Sequence, residues 1–506
     1  MRKALSDALQ GAPWLSAMAR VFEEVDAPLY IVGGAARNPL MGLPISDVDI
    51  CGPLRPEQVM SLCEGTDVHA VLRAAHFGTV ELHLADAEGK HQMAEYTTFR
   101  EDSYRCGHKP DSVKFTTDIA VDALRRDFSV NAMYRRVYPD HLGDVIDPTG
   151  GLVHLAQGVL HTTTPDPDQV LKDDGLRILR AARFQAELDL VPSDELMASL
   201  AKYAHLLRDI IPQRLGEEVK KIMLADLRYP MLRRRTPATA SGLRTIHEIG
   251  AWDFLFGGAA YDERSVEALA GLMGGDGDSE AKENREAGHG KAAGGEEKEN
   301  GEAGHDKAAG GEEKENSEAG HGKAAGGEEK ENSEAGGEEN RDSEAKENSE
   351  AGERFALLLR GVQEEMLEPT LRFLSVSIKD VQQATLLHRA LNQIKEHELS
   401  LFGGAVLGID ALLFAQRAFA ALGEAELSNA AHSMIADLAQ KPLSLKELAI
   451  NGRDLLPIYA RYSAPQSSMG SVLQDLWRLT IDQSLPNQKA DLLLASDQMI
   501  KNLVTM

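Results

Sequence analysis

Between Asp276 and Glu353 the chain contains no Leu, Ile, Val, Phe, Tyr or Trp. No other feature constrains the fold as much, because a run of that length without an apolar side chain cannot offset its own ordering entropy. The run is built on a 16-residue repeat, EAGHGKAAGGEEKENG from Glu286, then two close copies and a degraded one from Glu334. A solenoid needs an apolar face in every repeat, and here there is none. Residues 275–353 therefore read as a disordered acidic insertion. Its histidines at 289, 305 and 321 read as solvated spacers, with metal binding the alternative. The segment holds 25 acidic and 10 basic side chains, more than half of the chain's net charge of −26. The remainder is milder, so a nucleic-acid partner is not excluded, provided that any basic surface is local.

The insertion divides a 506-residue chain in which 42% of residues are hydrophobic, enough for several cores. Three cysteines, Cys51, Cys63 and Cys106, make neither a disulfide framework nor a CxxC zinc motif. The start, Met1-Arg2-Lys3-Ala4-Leu5-Ser6-Asp7, lacks the apolar run of a secretory signal. No stretch approaches the roughly 20 apolar residues of a membrane span. These points predict a soluble, cytoplasmic protein without a membrane partner. Short β-like runs, Leu29–Val32, Val48–Ile50 and Thr79–Leu84, alternate with helical ones up to about residue 150. Beyond Asp166 the periodicity predicts helices at 168–185, 194–208, 213–225, 241–255, 262–272, 355–366, 378–396, 405–421, 427–438, 444–448 and 470–483. The expected class is α+β, a small α/β head followed by an all-helical remainder.

Chemistry concentrates in the head. Tyr30-Ile31-Val32-Gly33-Gly34-Ala35-Ala36-Arg37 ends a strand at a glycine pair and starts a helix, a geometry that lets backbone N–H groups approach a phosphate. Alone, a Gly-Gly turn is usually only a turn. Asp47-Val48-Asp49 follows. Carboxylates at i and i+2 of a strand share a face and call for a cation, and Mg²⁺ prefers such hard oxygens. The competing reading is a solvated strand edge. A phosphate cradle followed by a metal dyad is the machinery of nucleotidyl transfer.

Taken with these residues, further motifs resemble the class II tRNA nucleotidyltransferase and bacterial poly(A) polymerase family. They are Glu95-Tyr96-Thr97-Thr98-Phe99-Arg100, Arg125-Arg126-Asp127-Phe128-Ser129-Val130-Asn131-Ala132, Asp147-Pro148-Thr149-Gly150-Gly151, Asp173-Asp174-Gly175-Leu176-Arg177, and in the tail Ile450-Asn451-Gly452-Arg453-Asp454-Leu455 with Leu485-Pro486-Asn487. Asn38 stands where the family usually has Asp, and Asp173 where it usually has Glu. The resemblance implies a polymerase-beta-like nucleotidyltransferase head (1–152), a neck with a nucleotide-selecting helix (153–225), a body (226–274 and 354–400) and a tRNA-binding tail (401–506). It also implies the activity: CCA, or part of it, added to the 3′ end of tRNA from CTP and ATP with Mg²⁺ and without a nucleic-acid template.

The same resemblance assigns roles. Asp47 and Asp49 would hold Mg²⁺, with Glu95 as third carboxylate. Gly33, Gly34 and Arg37 would hold the triphosphate. Arg126 and Asp127 would contact the ribose or couple head to neck, the competing reading for Arg126 being a salt bridge to Asp122 at i−4. Asp174, Arg177, Arg180 and Arg183 recur every three residues and are expected on one broad helix face, the alternative being a solvated charge network. Asp174 would accept from the exocyclic amine of cytosine or adenine while Arg177 donates to the ring, and Arg180 and Arg183 would support this pair or bind the triphosphate and primer end. The clusters Arg125/Arg126, Arg135/Arg136, Arg214/Lys220/Lys221 and Arg228/Arg233/Arg234/Arg235 are candidate RNA contacts or solvated faces. Alternatives are a poly(A) polymerase, a CC-only or A-only relative, or a non-catalytic RNA-binding protein that kept the fold. The oligomeric state stays open between monomer and homodimer.

Overall fold

The computed structural model describes residues 13–45, 48–85, 91–104, 110–272 and 350–505. Residues 275–349 of the expected insertion, Asp47 and Cys106 lie outside the described residues, as does the chain start; residues 350–353, expected to belong to the insertion, are instead the start of a helix in which Ala351 is buried.

The head is a seven-stranded sheet. Its strands are β1 (Leu29–Val32), β2 (Asp49–Gly52), β3 (His69–Ala74), β4 (Thr79–Ala85), β5 (His91–Thr98), β8 (Tyr134–Val137) and β9 (Leu142–Ile146), in the order β3-β4-β5-β2-β1-β8-β9. A separate hairpin, β6 (Arg100–Ser103) with β7 (Ser112–Phe115), follows β5. Within this sheet, among the described residues, only β2 and β5 pair in parallel. Alternation along the strands sorts the two faces. Ile31, Ile50, Tyr96, Val80 and Leu82 point to one face and pack under the helices Pro13–Glu23 and Pro56–Cys63, with Trp14, Met18, Phe22 and Val59. The other face carries Val32, Cys51, Phe99 and Tyr134 near the helix Ile119–Leu124, and beside them the polar positions Asp49, Glu95 and Glu81.

The helical remainder shares one large core. It begins with head residues Leu43, Phe128 and Val130 and runs through Ile178, Leu215, Leu243, Leu371, Leu412 and Phe419 to Ile481. Head and body are thus joined by buried apolar side chains. Gly216 sits where a Cβ would lie 1.6 Å from the Leu374 carbonyl oxygen, so the helix Pro212–Met223 can press against the body only with glycine there. A smaller core, Leu448, Ile450, Leu455, Tyr459, Leu476, Leu492 and Ile500, forms under the last three helices. Helices in 401–438 belong to the body's core, so the expected boundary at 400 does not coincide with a break between cores.

Several expected helices are divided. The segment 168–185 is two helices, Pro167–Asp173 and Arg177–Leu188, because Asp174 is extended (φ −148°, ψ 108°) and its carboxylate accepts from the Leu176 N–H. The segment 405–421 breaks at Gly408 (φ 91°), and 241–255 breaks at Gly250 (φ 75°). The expected helix 355–366 is a helix over 350–358, followed by Glu364–Phe373. Among the described residues no single helix is long and apolar enough to cross a membrane.

Candidate active site

The glycine turn is built as the sequence requires. Gly33 adopts φ 66°, ψ −126°, a conformation that side chains disfavour, and a Cβ there would lie 3.1 Å from Asn131 Oδ1. Its carbonyl accepts from the N–H groups of Ala36 and Arg37, which turns the chain from β1 into Gly34–Arg37. Arg37 does not reach outward. It is 4% exposed, donates to Asn131 Oδ1 (3.2 Å) and Asn38 Oδ1 (2.9 Å), and lies 5.4 Å from the Phe184 ring. Burial lowers its pKa to about 10, so it remains charged at neutral pH, and its buried Nε has no hydrogen-bond partner.

Next to this turn, β2 begins at Asp49, whose Cα partner on β5 is Glu95; Glu95 in turn faces Glu81 on β4. Three carboxylates therefore stand in one row across the sheet. Partial burial, then the charges of Asp49 and Glu81, push the Glu95 carboxyl above its ordinary range. Among the described residues no group of three or more His, Cys, Asp or Glu could hold a metal by itself. The donor set fits a hard divalent cation all the same: adjacent carboxylates that oppose each other's ionisation are what such a cation relieves. Asp47, the other half of the expected dyad, lies outside the described residues.

Arg126 is tied down inside the head. Its Nη2 lies 3.1 Å from Asp122 Oδ2 and its Nε donates to Tyr134 Oη (2.9 Å), while Tyr134 donates to the same Asp122 oxygen (2.7 Å). The i−4 salt bridge is present, but buried: Asp122 is 0% exposed. Burial alone would lower the Arg126 pKa; Asp122 and Tyr134 outweigh it and raise it. Asp127 instead joins head to neck. It accepts from Phe128 N (2.9 Å), Asn131 Nδ2 (3.3 Å) and Arg180 Nε (2.7 Å). Burial opposes its charge, but Arg180 and Arg177 prevail and hold the carboxyl far below the usual range.

The four charged residues expected on one helix face are arranged differently. Asp174 precedes the helix and is held at both oxygens, Oδ1 by Leu176 N (3.0 Å) and Oδ2 by Arg214 (2.9 Å). Arg177, in the first turn, donates to the carbonyls of Val170 (3.0 Å) and Arg125 (2.7 Å). Arg180 binds Asp127; Arg183 binds Glu218 (2.8 Å); both lie over the Phe184 ring. Sequence reasoning missed Glu218 and Tyr229, gave Arg214 to RNA, and quoted Asn131 without a role. The i, i+4 spacing of Arg214 and Glu218 places both on one face of one helix and was a usable signal, although each pairs with the neck, with Asp174 and Arg183 respectively; Tyr229 offered none.

The basic clusters are largely spent internally. Arg125 binds Asp122, and Arg135 donates to the Gly143 carbonyl. Arg234 caps the carbonyls of Ala186 and Glu187, and Arg235 binds Asp189. The tail motif is a capping device. Asn451 accepts from Arg453 N, Asp454 accepts from Asn451 N, and Lys489 binds Asp454 (2.6 Å). Asn487 ties the Ala449 N–H and the Glu447 carbonyl together.

Comparison with known proteins agrees with this construction. Residues 29–161 match the family described as poly A polymerase head domain, and residues 347–495 the one described as tRNA nucleotidyltransferase domain 2. The chain is 35% identical over 196 residues to the CCA-adding enzyme of Anoxybacillus flavithermus, covering 38% of this chain and 46% of that one. It is 31% identical over 247 residues to the CCA-adding enzyme of Latilactobacillus sakei, covering 48% and 56%. The chain thus spans about half the length of the curated relatives it matches. In fold it is similar to the Bacillus stearothermophilus CCA-adding enzyme in complex with CTP, with TM-score 0.65, 22% identity and coverage of 98% and 99%. It is also similar to the Thermotoga maritima CCA-adding enzyme complexed with tRNA, with TM-score 0.56, 18% identity and coverage of 96% and 95%.

Proposed function

We propose that this chain, a member of the class II tRNA nucleotidyltransferase and poly(A) polymerase family, adds CCA or part of it to the 3′ end of tRNA from CTP and ATP, releasing pyrophosphate. One observation carries the reading: the Asp49–Glu95 pair stands beside the glycine turn. From there Arg37, Asn131, Asp127 and Arg180 link hydrogen bond to hydrogen bond to the helix that follows Asp174. Carboxylates, phosphate cradle and base-reading residues thus belong to one connected unit. That relatives are named CCA-adding enzymes, and that a similar fold was solved with CTP and another with tRNA, supports the same substrates here.

Asp47 and Asp49, with Glu95 as a third carboxylate, would hold Mg²⁺, which supplies Lewis-acid activation of the RNA 3′-hydroxyl and neutralises the leaving pyrophosphate. The Gly33–Gly34 backbone receives the triphosphate, and Arg37 shapes that turn from beneath rather than touching phosphate. Asp174 is the acceptor that an exocyclic amine would meet. Arg177 uses two N–H groups on carbonyls and keeps others for the ring acceptor. Uracil and guanine present a carbonyl to Asp174 and are rejected by acceptor facing acceptor. Arg126 holds the floor of the head, and Arg180 and Arg183 brace the neck.

The test is incubation with tRNA lacking its 3′ end, with each nucleoside triphosphate alone and in mixtures, followed by sequencing of the products. Incorporation of C then A supports the reading. Long A tracts would instead mark a poly(A) polymerase, and no incorporation a non-catalytic binder.

A further inference from the structure

Tyr229 lies outside both matched family regions, just past the Ala225–Arg228 helix, and is 4% exposed. Its hydroxyl oxygen accepts from Asn38 Nδ2 (2.9 Å), a contact between body and head spanning 191 residues of sequence. The same Nδ2 donates to the Pro44 carbonyl (2.8 Å), while Oδ1 accepts from Arg37 (2.9 Å). Asn38 is 2% exposed and Tyr229 4%, so the amide and the phenol are both out of water, while Pro44 stands at the surface. Its backbone carbonyl also accepts from Leu43 N (2.9 Å). One residue therefore clamps both ends of the loop 38–44, which connects the glycine turn to the strand bearing Asp49.

The chemistry requires an amide at position 38. The Pro44 carbonyl can only accept, so the atom of the buried Asn38 side chain that faces it must carry hydrogen; a carboxylate would place oxygen against oxygen. Asp, usual here in the family that the sequence resembles, cannot make this set. Asn can, and its second N–H is then fixed toward Tyr229. We infer that Tyr229 is a positioning residue for the catalytic centre: through Asn38 it anchors the loop between the phosphate turn and the metal carboxylates to the body of the molecule. The latch opens a continuous chain, Tyr229–Asn38–Arg37–Asn131–Asp127–Arg180, that passes beneath the glycine turn from body to neck. The phosphate cradle is gripped at both ends.

This inference rests on the nucleotidyltransferase reading for its catalytic consequence but not for its structural one, and the experiment separates them. Tyr229→Phe keeps the ring and removes only the hydroxyl. Amide hydrogen exchange over residues 33–44 and single-turnover CTP incorporation are measured together on the full chain. The expected result is faster exchange confined to 33–44 and a rate lower by roughly five- to tenfold, the worth of one buried hydrogen bond, with the KM for CTP and the melting temperature little changed. Asn38→Asp should give the same local pattern, and the double variant should be no worse than the more damaging single one. Unchanged exchange at 33–44 would overturn the inference, as would a loss of melting temperature with exchange raised evenly over the head. So would a rise in KM alone. If the wild-type chain incorporates nothing, the functional reading fails, while the exchange data still decide the latch.

Discussion

Replacing Asp174 by Asn tests the base-reading site with little change in shape. The carboxylate does two things that an amide divides between its ends. Oδ1 accepts from Leu176 N–H at 3.0 Å, and Asn performs that capping task as well as Asp does. Oδ2 accepts from Arg214 at 2.9 Å and is the oxygen that the proposal assigns to the base. In the variant this atom becomes an NH₂ group, a donor facing both Arg214 and the amine of cytosine or adenine. The pair with Arg214 is partly exposed, so its loss costs about 1 kcal/mol or less. A base contact converted from match to mismatch costs about 1–3 kcal/mol, roughly a 5- to 150-fold fall in CTP and ATP use. Uracil and guanine, which offer a carbonyl, should improve. Asp174→Ala also removes the cap at a further cost of about 1 kcal/mol in stability, and should flatten selectivity without reversing it. Single-turnover rates for all four nucleotides, read beside thermal melts, separate these effects. A CTP to UTP ratio that stays constant in Asp174→Asn would refute the base-reading assignment and leave Asp174 as a helix cap only.

Other expectations follow from particular contacts. Asp127→Asn places an amide donor, in the buried position of Asp127, against the half-buried Arg180 and should cost about 3 kcal/mol. Because the Asp127 pKa is depressed on folding, that contribution is present above the unfolded carboxylate pKa of ~4 and fades as pH falls further. Melts of wild type and variant should therefore differ by a constant amount from pH 8 to 5 and converge only in acid; divergence on acidification would contradict the assignment. Asp49→Ala should abolish incorporation while tRNA still binds in a filter assay, and normal turnover would remove Asp49 from the metal site. Deleting 276–349 should leave melting and incorporation within error. Extending the deletion to 352 should not, because Ala351 is fully buried and Gly352 abuts Gln383. Arg354→Ala takes the cation from Asp226 in the body core, leaving it only the backbone N–H groups of Ala238 and Thr239 among the hydrogen bonds described, and should lower the melting temperature by several degrees, as scanning calorimetry would show.

The head was legible because its strands alternate cleanly and its chemistry is local. Leu29–Val32 is found with the bounds that its apolar run suggested, and Glu95 lies opposite Asp49. Helix periodicity located the body but not its breaks. Asp174 leaves the helix because its side chain offers the Leu176 N–H a nearer acceptor than a helical turn would, a competition that apolar spacing does not report. Glycines at 250 and 408 made two of the other breaks. The charged clusters were misread for a related reason. Sequence counts charges but does not choose partners: Arg126 takes the nearby buried Asp122, the competing reading for it, Arg135 a carbonyl on the next strand, and Arg234 carbonyls at the end of a distant helix. Asn38 was noticed as a departure; what it holds depended on Tyr229, which no local pattern connects to it.

The three tryptophans of the chain are divided among its cores. Trp14 packs in the head under the sheet, Trp252 in the body, and Trp477 against both the body and tail cores, its indole N–H bonded to the Pro442 carbonyl. The molecule thus carries an optical probe at each level. With two of the three replaced by Phe, the fluorescence of the third follows one region, and the order in which the signals change on heating gives the order in which the regions let go. Trp477 is the joint's own reporter. If engagement of an RNA end flexes the tail against the body, its emission should shift while Trp14 and Trp252 stay silent.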